Sequence, residues 1–398
     1  MAACDREPVD DTIGRANRMR ICIDLSPAVH HKAGLGRYAQ ELTAALMASG
    51  ADNEYVAFYN EPGTAHIAPP LDRLPRLTSN LTTKPWRMSV LVSHLARRPQ
   101  DSLAVGVDIF HATAHLLPRF TRVKTVFTLH DLAFLVCPET HTRVNRLFLS
   151  AAMPRFLRAA DAIIAVSQWT KADAMRLYGI PEDQIKVIYE GVHPRFQPPT
   201  LEDIAAVRRK YNLPERVILY LGTIEPRKNL SVLVDAYALL RSQHVCDDAR
   251  LVIAGKMGWL YQPFLQHVCD LGLQDEVLFT GFIADDDLPA LYGAADVFAY
   301  PSLFEGFGLP VLEAMACAVP VVCSNASSLP EVAGEAALMV GPHETAGLAA
   351  ALQRVLADAE LRARLVALGL ARARRFTWEE TARQTLAVYN QVYEKRNG

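Results

Sequence analysis

Short apolar runs recur along the chain, separated by longer stretches in which apolar positions return every three or four residues. The first group is RICIDLS (20–26), YVAFYN (55–60), TVFTLH (125–130), AIIAVS (162–167) and IKVIYEG (185–191). The second is VILYLG (217–222), RLVIAG (250–255), VLFTG (277–281), VFAYPS (297–302), VPVVCS (319–324) and ALMVG (337–341). These runs are apolar throughout rather than alternating, as strands are when a parallel sheet is covered on both faces. Between them, RYAQELTAALMASG (37–50) and NLSVLVDAYALLRSQ (229–243) carry helical spacing, the first closed by Gly50. Strand and helix in alternation predict a doubly wound α/β architecture.

The rhythm breaks over 193–215, where Pro194, Pro198 and Pro199 interrupt it, and restarts at Val217. That break predicts a linker between two Rossmann-like domains, 19–195 and 196–378, with a helix over 379–397 returning to the first. A length of 398 residues agrees with more than one domain.

Composition narrows the picture. With 51% apolar and 21% charged residues the chain is expected to fold rather than stay disordered. Lys+Arg 41 against Asp+Glu 43 gives −2, which argues against a nucleic-acid coat. The seven cysteines are odd in number and form no C-x-x-C pair, so neither a disulfide framework nor a zinc cluster is expected, and a reducing cytoplasm is. Residues 1–18 have no apolar core of a signal peptide, and no run approaches the ~20 apolar residues of a membrane span. The neutral total hides an uneven distribution: residues 71–158 hold 13 Lys/Arg against 5 Asp/Glu. Within them KPWRMSVLVSHLARR (84–98) and RVNRLFLSAAMPRFLR (143–158) mix arginine with large apolar residues, a composition suited either to an anionic membrane surface or to an ordinary solvated face.

Candidate chemistry gathers at the predicted carboxyl ends of strands, where open α/β sheets bind ligands. In SLFEGFGLPVLEAMACAVPVV (302–322), a strand leads into a loop with Glu305, Gly306 and Gly308, and Pro310 suits the first turn of a helix. Amides of Phe307, Gly308 and Leu309 would face an anion from that helix start. Glu313 sits among residues that favour burial, so it needs a partner. In LGTIEPRKNL (221–230), Arg227 and Lys228 precede a helix that Asn229 could cap, and they could neutralise a diphosphate. Gly34 and Gly36 of AGLGR are expected between the first strand and its helix, where backbone can approach a phosphate. His130 and Asp131 end the strand TVFTLH; His130 could equally be a structural residue, and adjacent side chains at a strand end point apart. Ser167 could face the cleft or cap a helix. Gly255-Lys256 and Phe282-Ile283 end two further strands and could lie beside a base.

The segment E-G-F-G-L-P-x-x-E, with glutamates eight apart, resembles the E-x7-E motif of the retaining glycosyltransferases of family 4. The likeness runs from about Met19 to Tyr393 and is strongest toward bacterial mannosyltransferases of polysaccharide assembly. It implies a GT-B fold and a nucleotide diphosphate sugar as co-substrate, with GDP-mannose favoured and neither metal nor cofactor required. By the same resemblance Glu305 and His130 contact the donor sugar, and Glu313 contacts the ribose. Arg227 and Lys228 hold the diphosphate, with Gly34, Gly36, Phe307, Gly308 and Leu309 nearby. Lys256 and Ile283 approach the base, and Asp131 meets a glycan or lipid-linked acceptor. A cytoplasmic protein is expected, with peripheral contact at the inner membrane face as one option beside an ordinary solvated surface. Two other readings fit the same fold: a sugar-nucleotide epimerase, and a sugar-nucleotide-binding protein without turnover. A dinucleotide dehydrogenase is disfavoured, since no complete G-x-G-x-x-G follows the first strand.

Overall fold

The computed structural model describes residues 18–30, 33–61, 63, 67–244 and 248–397. The first 17 residues, Cys4 and Cys246 lie outside them. Among the described residues, thirteen strands form two parallel sheets. The first holds β1 (Arg20–Asp24), β2 (Glu54–Asn60), β3 (Arg76–Ser79), β4 (Ile109–Ala112), β5 (Lys124–Leu129), β6 (Ala162–Ala165) and β7 (Ile185–Val187), in the order β3-β2-β1-β4-β5-β6-β7. The second holds β8 (Arg216–Leu221), β9 (Ala249–Ala254), β10 (Val277–Gly281), β11 (Val297–Tyr300), β12 (Val321–Ser324) and β13 (Ala337–Val340), in the order β10-β9-β8-β11-β12-β13. In each, the order reverses beside the first strand, which is the doubly wound arrangement with its switch point.

The continuous apolar runs are the central strands: Ile21, Cys22 and Ile23 of β1 and Leu219 and Tyr220 of β8 are fully buried. Burial pushes the thiols of Cys22, Cys317 and Cys323 up, the last to about 12, so these cysteines behave as small core hydrophobes. The described cysteines Cys22, Cys137, Cys269, Cys317 and Cys323 are free thiols.

Two strands escaped the sequence pattern. β3 is a sheet-edge strand with exposed Arg76 and Thr78, and β4 is a four-residue run interrupted by His111. His111 is nonetheless completely buried, because its Nδ1 meets Tyr389 Oη at 2.6 Å. The proline-rich break is not simply a linker. It contains the helix Leu201–Tyr211, started by a capping box in which Thr200 and Asp203 exchange side-chain and backbone hydrogen bonds.

Contacts group the chain into two compact units. One comprises the residues up to Phe127, Ala159–Ala162 and those from Leu386 on; the other comprises Thr128–Arg158 and Ile163–Thr385. Tyr389, from the helix Trp378–Asn397, thus meets His111 inside the first unit. No described helix is long and apolar enough to cross a membrane.

Candidate active site

The second unit carries most of the chemistry. The carboxyl ends of β8, β9 and β10 finish at or beside Gly222, Gly255 and Gly281. Gly255, at φ +135°, leaves no room for a side chain: a Cβ there would stand 2.0 Å from the Gly222 carbonyl oxygen. The three strand ends therefore pack backbone to backbone, with Gly222 N donating to Ala254 O and Gly255 N to Gly281 O at 2.9 and 2.8 Å.

Beyond Gly222 the chain turns through Pro226–Lys228 as a short 3-10 helix and enters the helix Leu230–Ser242. Asn229 takes the N-cap position but does not cap: at φ +57° its Nδ2 donates instead to the carbonyls of Pro301 and Pro342. That anchors the Arg227-Lys228 turn to the loop after β11. Arg227 Nη1 reaches Glu305 Oε2 at 2.9 Å and Phe304 O at 2.6 Å. Lys228 Nζ reaches Glu305 Oε1 at 2.6 Å and Tyr300 Oη at 2.9 Å. Glu225, which the sequence reasoning passed over, holds the other edge of Arg227 through Nη2 at 2.8 Å and Nε at 3.2 Å. Two cations and two carboxylates, all largely buried, thus form one closed network.

Titration in this cluster follows from its geometry. Burial alone would raise the Glu305 carboxyl, but Arg227 and then Lys228 outweigh burial and bring it down to about 2. Burial, reinforced by neighbouring Arg227, lowers Lys228 despite its carboxylate partner. The Tyr300 hydroxyl is pushed up by burial and then by Glu305, which keeps it a neutral hydrogen-bonding group.

The Glu305–Leu309 loop is rigidly held. Glu305 N donates to Ser327 Oγ at 2.8 Å, and Ser328 Oγ donates to the carbonyls of Glu305 and Phe307 at 3.0 and 2.7 Å. Gly306 has no alternative, since a Cβ would lie 2.1 Å from the His130 carbonyl oxygen. Gly308 adopts φ +118° at the N-cap of the helix Leu309–Ala316, with Pro310 in the first turn. No side chain caps this helix start, and the first amides of a helix lack intrahelical partners, which is the property an anion site uses. Further along it, Glu313 is buried and its Oε2 accepts from Tyr292 Oη at 2.8 Å.

His130 is buried at the end of β5, its Nδ1 3.4 Å from Glu190 Oε1. Asp131 accepts from the amide of Ala133 and so shapes its own turn. Ser167 is a helix cap, its side chain accepting from Thr170 N. Lys256 Nζ lies 4.4 Å from the centre of the Phe282 ring, a cation–π contact on an exposed aromatic. Ile283 is buried at 3% exposure, leaving only its backbone to meet a ligand.

Structure brings together Arg227, Lys228, Glu305, Gly306–Leu309 and His130, all in one unit. Gly34 and Gly36 belong to the other unit, and they stand inside the helix Ala33–Ala48 rather than ahead of it. Glu225, Glu190, Tyr300, Ser327 and Ser328 were missed. Glu225, two residues before Arg227, and Tyr300, five before Glu305 in the run VFAYPS, sit close enough in sequence to have been signalled.

The fold has many solved neighbours. Sucrose-phosphate synthase from Thermosynechococcus elongatus superposes with a TM-score of 0.76 at 24% identity, covering 95% of this chain and 100% of that one. A structure of Anabaena Alr3699/HepE in complex with UDP-glucose gives 0.70 at 22%, covering 94% and 100%. WaaG, a glycosyltransferase involved in lipopolysaccharide biosynthesis, gives 0.68 at 16%, covering 93% and 99%. In sequence, residues 33–196 match the model described as Glycosyltransferase Family 4, and residues 203–369 match that of Glycosyl transferases group 1. The chain is 32% identical over 389 residues to O-antigen chain mannosyltransferase B of Escherichia coli, covering 93% of this chain and 99% of the relative. It is also 35% identical over 281 residues to the serotype-specific mannosyltransferase WbdA of Escherichia coli, spanning about a third of that longer protein. With a full-length relative above 30% identity and both halves matched, the chain belongs to the family 4 glycosyltransferases, built on the GT-B fold.

Proposed function

We propose that the protein transfers mannose from GDP-mannose, with retention of anomeric configuration, to a lipid-linked glycan of a cell-surface polysaccharide. The observation that carries this reading is the grip of Arg227 and Lys228 on Glu305 beside the start of the Leu309–Ala316 helix. Full-length similarity to an O-antigen mannosyltransferase supports the choice of sugar. In this reading a donor diphosphate takes over part of the coordination that Glu225 and Glu305 now give the two cations. The amides of Phe307, Gly308 and Leu309 add donors.

Glu305, kept ionised by its cations, accepts hydroxyls of the sugar, and His130 contacts the sugar from β5. Glu313 accepts from the ribose, while Lys256 and the backbone of Ile283 border the base. Asp131 meets the acceptor. In the chemical step the bond from the anomeric carbon to the phosphate oxygen breaks, and the acceptor hydroxyl oxygen attacks the same face. Its proton passes to the departing phosphate oxygen, where Arg227, Lys228 and the helix start stabilise the developing charge. No step requires a metal.

The acceptor's lipid accounts for an otherwise unexplained surface. The helix Thr83–Leu95 buries Trp86, Val90 and Leu91, yet it exposes Met88, Val92 and Leu95 at 52%, 47% and 56%. Lys84, Arg97 and Arg98 are exposed around that stripe, a composition that fits peripheral docking on anionic lipid at the cytoplasmic face.

The test is a panel of GDP, UDP, ADP and dTDP sugars with a lipid-linked acceptor. Transfer from GDP-mannose with retention is expected; inverted product, or transfer only from another sugar nucleotide, would overturn the reading. Conversion of the donor without acceptor would indicate an epimerase, and binding without turnover a non-catalytic protein.

A further inference from the structure

Glu331 lies outside every motif read from the sequence, yet its half-buried carboxylate joins three separate groups. Oε1 accepts from Trp169 N at 3.1 Å, and Oε2 accepts from Gln168 N at 3.0 Å and from Tyr189 Oη at 3.2 Å. The first two are opening amides of the helix Gln168–Tyr178, whose third amide, Thr170 N, is taken by Ser167 Oγ at 3.0 Å. One local and one distant side chain thus satisfy the whole first turn. The distant one is an anion at the positive end of the helix, where a charge interacts favourably.

That turn and Tyr189 both reach the candidate site. Thr170 Oγ1 donates to the His130 carbonyl at 3.0 Å and lies 3.4 Å from the Gly306 carbonyl oxygen. The Tyr189 ring stacks on Phe307 with centroids 5.9 Å apart, and both rings pack edge-on against Phe376. Glu331 is itself fixed from behind, since Arg372 donates to the carbonyls of Glu331 and Val332 while lying over the Phe376 ring. Glu331 is therefore linked to the Glu305–Leu309 loop through Tyr189 and Phe307, and to His130 through the helix start and Thr170.

We propose that Glu331 is a positioning residue for transfer: by tying the start of the Gln168–Tyr178 helix to Tyr189 it fixes His130 against the Glu305–Leu309 loop, and so sets how the donor sugar is held. This rests on the proposed function. The loop facing the diphosphate is also held independently of Glu331, by Ser327 and Ser328, so loss of Glu331 acts chiefly on His130 through Thr170 and weakens recognition of the sugar rather than of the nucleoside diphosphate. Misplacement of reacting groups by about 1 Å costs on the order of 100-fold in rate.

The experiment compares wild type, Glu331→Ala, Glu331→Gln and Tyr189→Phe by calorimetry with GDP and with GDP-mannose, and by transfer kinetics. Glu331→Ala is expected to lower kcat by about 100-fold and weaken GDP-mannose binding by about 10-fold, with GDP affinity unchanged. Glu331→Gln, which keeps an acceptor for one amide, recovers part of the loss. Tyr189→Phe, which keeps the stacking and removes one hydrogen bond, shows a smaller loss with the same split. Wild-type kinetics in Glu331→Ala, or a parallel loss of GDP affinity, would overturn the proposal while leaving the functional reading in place. Failure of the wild-type protein to bind or use any sugar nucleotide would overturn both.

Discussion

Gly306 and Gly34 both stand in short glycine-rich segments after a parallel strand, and their sequences, EGFGLP and AGLGRY, suggest the same use. The structure separates them. At Gly306 a single added carbon would stand 2.1 Å from the backbone of His130, whereas at Gly34 the nearest 4 Å are open. One glycine is required by the close packing of two segments of the candidate site; the other is an exposed residue in the first turn of a helix. The difference lies in what surrounds each glycine. EGFG is pinned by Ser327, Ser328, Arg227 and Lys228, while in AGLG only a Cβ added at Gly36, and not one at Gly34, would meet backbone, 2.9 Å from the Pro27 carbonyl oxygen.

Substitutions at the pinned loop are expected to be the most damaging. Glu305→Ala and Lys228→Ala should each lower transfer by roughly 1000-fold, as loss of groups that stabilise developing charge does, with circular dichroism unchanged. Full activity in either would remove the cluster from the mechanism. Gly306→Ala should lower kcat by about 100-fold, because the loop or His130 must shift to admit the methyl group. Near-normal kcat in this variant would erase the distinction from Gly34.

A stability measurement reads the same cluster without substrate. The Glu305 carboxyl is depressed from 4.5 to about 2, so its stabilisation is complete above pH 4.5 and is lost as pH falls toward 2. The stability gap between wild type and Glu305→Gln should therefore shrink over that window, by about 3 kcal/mol at most. A gap that stays constant with pH would contradict the ionised Glu305 network. The smallest effects belong to the AGLG helix and differ in sign. Gly34→Ala should stabilise the protein by about 0.5 kcal/mol, since alanine favours helix, while Gly36→Ala should destabilise it by about 1 kcal/mol through the Pro27 contact. Paired thermal melts would show whether the two diverge.

What could be read from the sequence follows the same line between local and distant causes. Strands β8, β9, β11 and β12 announced themselves because each is buried along most of its length within one continuous apolar run. β4 did not, because His111 interrupts it and its partner Tyr389 is 278 residues away. The helix Leu201–Tyr211 was hidden by the prolines before it, although Thr200 and Asp203 carry its start signal. Within the site, Glu305, Arg227 and Lys228 were legible from composition at strand ends. Glu225, Glu190 and Glu331 were not singled out, since a carboxylate in a loop shows its role only through what it faces. Gly34 and Gly36 were placed ahead of the helix because a G-x-G after a strand looks alike whether it precedes a helix or begins one.

The central claim is that Arg227 and Lys228, paired with Glu305, support glycosyl transfer from a nucleotide diphosphate sugar by attack on the face the phosphate leaves. The most direct measurement is proton NMR of the glycosidic linkage formed from GDP-mannose and a lipid-linked acceptor in the presence of a divalent-metal chelator. An α-linked product formed at an undiminished rate is expected. A β-linked product, or none until metal is restored, would contradict the account.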